Sequence, residues 1–233
     1  MVDLNVEMTE LWSALGAPPA GRPHVVQFVA ARRGEGTSTV AREFARFASR
    51  RAGRKTWLVD LDLVEPSQYR ALAADPQRYG PLGPPVAASP DDSAPFTVQP
   101  PAPRPEGGVW PDAKYLVGHS VGGPRLWVAR FNREALRGRQ QAHLIPSPDY
   151  WKALRKHAEI IVVDCPSVDR SPAGPTIARH MDLTVLVVSA DQPDVRQPAL
   201  LRDAITAAGG RCAGLFFNKV SLQPPAFLKA ILP

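Results

Sequence analysis

Apolar runs that stop abruptly on polar residues constrain this chain more than any other feature. Val25-Val26-Gln27-Phe28-Val29-Ala30 runs into a glycine-bearing loop, Arg32 to Ser38. Thr56-Trp57-Leu58-Val59 runs into Asp60-Leu61-Asp62, and Ile160-Ile161-Val162-Val163 closes on Asp164. Leu183 to Val188 and Ala213 to Phe217 are two more such runs. Runs of this kind suit strands buried on both faces of a parallel sheet. Helical spacing lies between them: Val40, Phe44 and Phe47 after the first run, Tyr150-Trp151 and Leu154 within 148–157, and a further helix over 195–208. Strands alternating with helices predict a doubly wound, mostly parallel α/β sheet.

A length of 233 residues with 44% hydrophobic residues accommodates one well-packed domain over 1–233. A short helix, Met8 to Leu15, and a Pro/Gly turn are expected within residues 1–23. Residues 76–124 stand apart, because prolines recur from Pro81 to Pro111. Proline lacks the amide proton and fixes φ, so the expectation there is an extended, flexible insertion with neither a central strand nor a helix. Order is expected to return near Leu126-Trp127-Val128.

The net charge of +6 is spread over the chain without a long basic run. The Arg50, Arg51, Arg54, Lys55 cluster reads as a solvated turn, and no nucleic-acid partner is expected. Cys165 and Cys212 lie in or beside expected strands and read as reduced core thiols. The N-terminus is acidic, and no apolar stretch is long enough to span a bilayer. A cytoplasmic protein is expected, any membrane role coming through a partner.

Three features fall at the C-terminal ends of expected parallel strands, where such sheets bind ligands. The first is the loop Arg32-Arg33-Gly34-Glu35-Gly36-Thr37-Ser38-Thr39. Backbone amides at a helix N-terminus cradle phosphate oxygens, and glycines let the chain bend around them. Ser38 stands where a P-loop hydroxyl ligates Mg²⁺. The second is the pair Asp60 and Asp62, and the third is Asp164. Carboxylates from neighbouring strands can hold Mg²⁺ and orient a nucleophile. Asp60, Asp62 and Asp164 are therefore the candidate catalytic residues, and Ser38, Asp60 and Asp164 the candidate metal ligands. The histidines show no pairing at metal spacing.

The stretch VVQFVAARRGEGTSTVAREFARFASRRAGRKTWLVDLDL resembles the first strand, P-loop, first helix and second strand of bacterial tyrosine kinases (BY-kinases), which belong with the MinD/ParA-type deviant P-loop ATPases. IIVVDCPSV and MDLTVLVVSADQPDVRQPALLRDAITAAGGRCAGLFFNKV are similar to the family's later strands, about residues 145–220. The resemblance implies ATP or ADP with Mg²⁺ as cofactors, Arg32 to Thr39 as the phosphate loop and Asn218 as an adenine contact. It also implies a role in assembly and export of capsular or exopolysaccharide. The implied partner is the cytoplasmic tail of a membrane chain-length co-polymerase, with homo-oligomers as a family trait and recruitment to the inner membrane through that partner.

The departures from the family pattern are specific. Thr37 stands where the P-loop lysine belongs, Ala31 replaces the first loop glycine, and Val64 stands where the second acidic motif has Arg. Arg32 aligns with the extra lysine of the deviant loop. Tyr69, Tyr79, Tyr115 and Tyr150 are scattered, and no tyrosine cluster follows Asn218. Weak or absent tyrosine kinase activity is the expectation.

Two rival readings share parts of the pattern. Gly118-His119-Ser120-Val121-Gly122 fits the G-x-S-x-G elbow of α/β-hydrolases, with Ser120 as nucleophile and His143, His157 or His180 downstream. Against it, the preceding residues are proline-rich and Pro124 is an awkward continuation into a helix; a glycine-rich loop is the plain alternative. A ParA/MinD-like partitioning ATPase shares the fold, but no basic cluster lies on a late helix. The segment 224–232, PPAFLKAIL, reads either as a surface tail for a membrane or as a helix docked on the sheet.

Overall fold

The computed structural model describes residues 4–16, 22–191 and 194–220. In chain order its elements are α1 (Asn5–Leu15), β1 (His24–Val29), α2 (Thr37–Ser49), β2 (Thr56–Asp60), α3 (Gln68–Ala74), α4 (Pro76–Tyr79), β3 (Val86–Ala87), β4 (Phe96–Gln99), β5 (Leu116–Val121), β6 (Leu126–Phe131), β7 (Gln141–Leu144), α5 (Pro148–His157), β8 (Ile160–Asp164), α6 (Ala173–Ile177), β9 (Leu183–Ser189), α7 (Arg196–Ala207) and β10 (Cys212–Asn218).

The main sheet has the order β10-β9-β1-β8-β2-β6-β5-β3. From β10 through β6 every pairing is parallel. β5 and β3 then extend the sheet in antiparallel fashion. β1 lies between β8 and β9, although β8 comes more than 130 residues after it; this crossover is what brings the candidate site residues together.

Each face of the sheet carries its own apolar layer, the arrangement that doubly wound sheets require. On one face Val26, Phe28 and Val162 pack against Val40, Phe44 and Ala48 of α2. α1 adds Met8 to that layer, and Trp12 lies 6.0 Å from both Phe44 and Phe47, ring centre to ring centre. On the other face Val25, Ile161 and Val163 meet Trp151 and Leu154 of α5 and Leu201 and Ile205 of α7.

The proline-rich stretch differs from the sequence expectation. Val86–Ala87 and Phe96–Gln99 within it are strands, and Gly118-His119-Ser120 lies inside strand β5 rather than in a loop. β4 pairs with β7 as a separate two-stranded sheet. Phe96 and Val98 are buried, with Phe96 edge-on to Phe131 at 4.8 Å. The prolines flank these strands instead of interrupting them: Pro84 and Pro85 precede β3, Pro95 precedes β4, and Pro100 and Pro101 follow it. A short strand at or near a sheet edge tolerates prolines at its ends, because no central ladder needs their missing amides.

The basic turn after α2 has internal partners. Arg51 lies 3.5 Å above the Phe47 ring, Arg54 donates to Lys156 O at 2.6 Å, and Lys55 lies 4.9 Å from the Trp127 ring. Both cysteines are free thiols; Cys165 is buried as expected, whereas Cys212 is only half-buried near the β10 edge. No helix among the described residues is long and apolar enough to cross a membrane. The segment 224–232 lies outside the described residues.

Candidate functional site

Register places the acidic residues together. Asp60 at the end of β2 is the direct Cα partner of Asp164 at the end of β8, and Phe28 of β1 partners Asp164 on the other side. The loop leaving β1 therefore begins one strand away from both carboxylates. Gly34 and Gly36 have φ of 89° and 90°, a region that other residues enter only with strain. Gly36 caps α2, its carbonyl accepting from the amides of Thr39 at 3.0 Å and Val40 at 3.1 Å.

Asp164 is the most constrained group. Its Oδ2 accepts from Gln68 Nε2 at 2.6 Å, and the nearby Ser38 side chain favours its charged form. Its Oδ1 is buried without a hydrogen-bond partner. Asp60 accepts from the Asp62 amide at 3.0 Å through Oδ1 and from the Gln68 amide at 2.9 Å through Oδ2. Burial, then the nearby Asp164 charge, pushes the Asp60 carboxyl up to about 8 against those two hydrogen bonds. Burial also raises Asp164, to about 6, against the hydrogen bond from Gln68 and the Ser38 side chain. Two buried carboxyls on adjacent strand ends favour protons or a cation, since neither tolerates a second bare negative charge beside it.

Asp62 turns outward. Its Oδ1 accepts from the amides of Val64 and Glu65, at 3.1 and 2.8 Å, and its Oδ2 takes Arg170 at 2.6 Å. Arg170 also reaches Glu65 at 3.2 Å. The loop arginines both have acidic partners: Arg32 lies 2.6 Å from Asp194 and Arg33 lies 3.3 Å from Glu65. These pairs are largely exposed, of the kind worth about 0–1 kcal/mol, so either guanidinium can exchange its partner at little cost.

Two loop amides are occupied by carboxylates of the chain itself. The Arg32 amide donates to Glu35 Oε2 at 3.2 Å, and the Arg33 amide donates to Asp169 Oδ2 at 3.1 Å. Two loop carbonyls are held from the last residue of β10 and the residue after it. Asn218 Nδ2 donates to Glu35 O at 2.9 Å, and Lys219 Nζ donates to Gly34 O at 2.8 Å. Asn218 packs so close that a Cβ on Gly36 would lie 2.0 Å from its Nδ2. A cleft of about 500 Å³ opens over this constellation, lined by the loop from Arg32 to Thr39 together with Asp62, Asp164, Arg70 and Arg170.

The structure thus brings the loop, Asp62 and Asp164 to one cleft, with Asp60 buried beside Asp164 and Asn218 bracing the loop. Sequence reading missed Gln68. It is fully buried, and its side-chain amide also donates to Ser38 O at 2.8 Å. Its Oε1 accepts from Arg42 at 3.0 Å. Pro66-Ser67 just before α3 is a helix-start signal that could have pointed to it.

The donor set suits a hard cation beside phosphate: a hydroxyl, a buried carboxylate oxygen without a partner, and glycines in a left-handed turn at a helix start. Among the described residues no cluster of three or more His, Cys, Asp or Glu forms a metal cage. Magnesium needs no such cage, because it keeps several waters and shares substrate phosphates.

The hydrolase reading fails. Ser120 sits inside β5, opposite Trp127 of β6, and the chain continues into a hairpin rather than a helix. A Cβ at Gly83 would lie 2.2 Å from Ser120 Oγ, so the hydroxyl is packed against that backbone. No hydrogen bond joins Ser120 to a histidine among the described residues, and His119 instead contacts Gly83 O at 2.9 Å.

No protein-family model and no curated protein matches the sequence. Solved structures do resemble it. The chimerical protein CapA2B2 superposes with a TM-score of 0.60 at 15% identity, over 94% of this chain and 86% of that one. The kinase domain of the Escherichia coli tyrosine kinase ETK gives 0.55 at 13%, over 93% and 75%. Cobyrinic acid a,c-diamide synthase from Mycobacterium smegmatis, solved with an ATP analog and magnesium, gives 0.55 at 12%, over 90% and 80%. The chain therefore has the P-loop NTPase fold that bacterial tyrosine kinase domains share with MinD/ParA-type ATPases.

Proposed function

We propose that this chain is a kinase-like P-loop protein of bacterial exopolysaccharide or capsule assembly and export, binding Mg-nucleotide at the loop from Arg32 to Thr39. The observation that carries the reading is the alignment of Asp60 with Asp164 beside that loop, with Ser38 and Asp164 lining one cleft and Asp164 Oδ1 left without a partner. Ser38 and Asp164 would hold the magnesium, with Asp60 behind them. The ion would supply charge neutralisation between the carboxylates and the phosphates. The loop amides would orient the phosphates, and Arg32 or Arg33 would replace the charge of the lysine that Thr37 displaces. Asp62, which lines the cleft and pairs with Arg170, would accept a proton from an acceptor hydroxyl. The partner is the cytoplasmic tail of a membrane co-polymerase, which recruits the chain to the inner membrane.

Without the loop lysine, transfer to tyrosine is weak or absent, and the nucleotide serves chiefly to set the state in which the chain meets its partner. Calorimetric titration with ADP and a slowly hydrolysed ATP analogue, with and without Mg²⁺, tests this. Mg-dependent binding that Ser38→Ala and Asp60→Ala each weaken at least tenfold is expected. Binding that is Mg-independent, or that ignores both substitutions, overturns the site. Sedimentation with DNA separates the partitioning reading, which requires co-sedimentation in the ATP state.

A further inference from the structure

The proline-rich stretch that ends at Trp110 and the segment 137–140 enclose a groove of about 680 Å³ beside the start of β5. One wall is a hairpin. The Trp110 amide donates to Ala102 O at 2.8 Å and the Arg104 amide to Gly108 O at 3.1 Å, while Gly107 and Gly108 turn the chain with φ of 98° and 78°. The hairpin presents Trp110, 41% exposed, to the groove. Gln140 ties the two walls together. Its Oε1 accepts from Tyr115 Oη and from the Arg137 amide, both at 3.0 Å, and its Nε2 donates to Pro100 O at 2.9 Å. Leu116 pairs with Phe131, the last residue of β6, so the groove opens at the same end of the sheet as the phosphate loop. β5 stands six strands from β10, about 29 Å across the sheet.

The charge of this groove is one-sided. Lys114, Arg137 and Arg139 line it, and no Asp or Glu does among the described residues. The Arg104 guanidinium lies 4.7 Å and the Lys114 ammonium 5.2 Å from the Trp110 ring centre. Glu106, the one carboxylate on the hairpin, does not line the groove. None of these four cations pairs with a carboxylate among the described residues, whereas Arg32, Arg46, Arg130, Arg155 and Arg170 all do. Cations left without counter-charges around an exposed indole call for an anionic complement.

We propose that this groove docks an acidic peptide segment of a partner protein. An apolar side chain of that segment lies against Trp110 and the prolines, and its carboxylates meet Lys114, Arg137 and Arg139. Two features favour a peptide over other polyanions. A saccharide needs neutral donors and acceptors for its hydroxyls, but the Gln140 amide and the Tyr115 hydroxyl are already engaged with each other and with the backbone. A single-stranded nucleic acid needs successive rings for successive bases, and here Trp110 is exposed while Tyr115, the other ring lining the groove, is buried. What remains is an apolar trough with a cationic rim, which suits apolar anchors flanked by carboxylates. The proposal does not rest on nucleotide binding, since no residue of the groove lines the phosphate cleft.

Selection of a random dodecapeptide library on the full-length chain, without nucleotide, tests the docking site. Enriched peptides are then synthesised and titrated by fluorescence anisotropy. Expected are peptides of net negative charge that carry an apolar or aromatic residue. Their affinity should fall about tenfold or more in the double variant Arg137→Glu, Arg139→Glu and in Trp110→Ala. Lys114→Glu, on an exposed side chain, replaces either variant if it does not fold. On the unaltered chain the affinity should fall about tenfold between about 50 and about 500 mM NaCl, a readout that needs no variant. No enrichment, enrichment without acidic bias, or affinity that ignores the variants or the salt overturns the proposal. Displacement of the peptides by oligo-dT at lower concentration than by unlabelled peptide overturns it in favour of a nucleic acid.

Discussion

The side-chain amide of Gln68 donates both to Asp164 Oδ2, over 2.6 Å, and to Ser38 O, over 2.8 Å. One buried amide therefore ties the start of α3 to the phosphate loop and to the third strand end, while its backbone amide holds Asp60.

Removing the Gln68 side chain should loosen the loop and Asp164 while keeping the backbone bond to Asp60. Gln68→Ala leaves a buried carboxylate oxygen without its donor, and hydrogen bonds to charged groups are worth about 1.5–3 kcal/mol. Urea unfolding should show a loss of about that size. Mg-dependent nucleotide binding should weaken as well, because Asp164 is no longer aimed. An unchanged urea midpoint would show that the bridge carries no net stability.

The Asp60–Asp164 pair predicts a stability that falls with rising pH. Both carboxyls titrate higher in the folded chain than unfolded, so the folded state binds more protons across the interval between. Their protonated forms favour folding below about pH 4, and that advantage is lost as pH rises through about 6 and about 8. Melting temperature measured from pH 5 to 8.5 should fall. Asp60→Asn should flatten the slope, and millimolar Mg²⁺ should raise the melting temperature most at the alkaline end.

Glu43 predicts the opposite sign. It is buried on α2, with Tyr79 Oη at 2.6 Å, Arg78 at 2.9 Å and Arg46 at 3.0 Å. Burial would raise its carboxyl, but hydrogen bonds from Tyr79 and Arg78 and the arginine charges hold it below the ordinary value. Its contribution is present above the unfolded value and is lost as pH falls through the folded one. Glu43→Ala removes the carboxylate that Tyr79, Arg78 and Arg46 share and should destabilise by about 1.5–3 kcal/mol, read by denaturant titration at pH 7.

Thr37→Lys restores the missing loop cation. A charge-assisted contact worth about 1.5–3 kcal/mol corresponds to a gain of roughly 10- to 150-fold in nucleotide affinity. Calorimetry on the variant checks it. No gain would mean that Arg32 or Arg33 already neutralises the phosphates.

Much of the sheet was legible because its strands are apolar runs, and the doubly wound pattern of β1, β2, β8 and β9 follows from them directly. Strands β3 to β5 were hidden by prolines that stop at their borders, a distinction local composition does not carry. That Asp60 and Asp164 each end a strand is visible in the chain; that β8 inserts between β1 and β2 and makes them register partners is not. Gln68 escaped notice because a buried glutamine has no pattern of its own. Its role exists only where α3, β2, β8 and the loop converge.

The carboxylates of Glu35 and Asp169 on the amides of Arg32 and Arg33 give ligand entry the character of an exchange. A phosphate that takes either amide must evict an anion already seated there. The affinity is then a difference between two contacts of similar kind, and the evicted Asp169, carried on the segment after β8, is set free to move. Arrival of the ligand would be announced at that segment before any chemistry occurs.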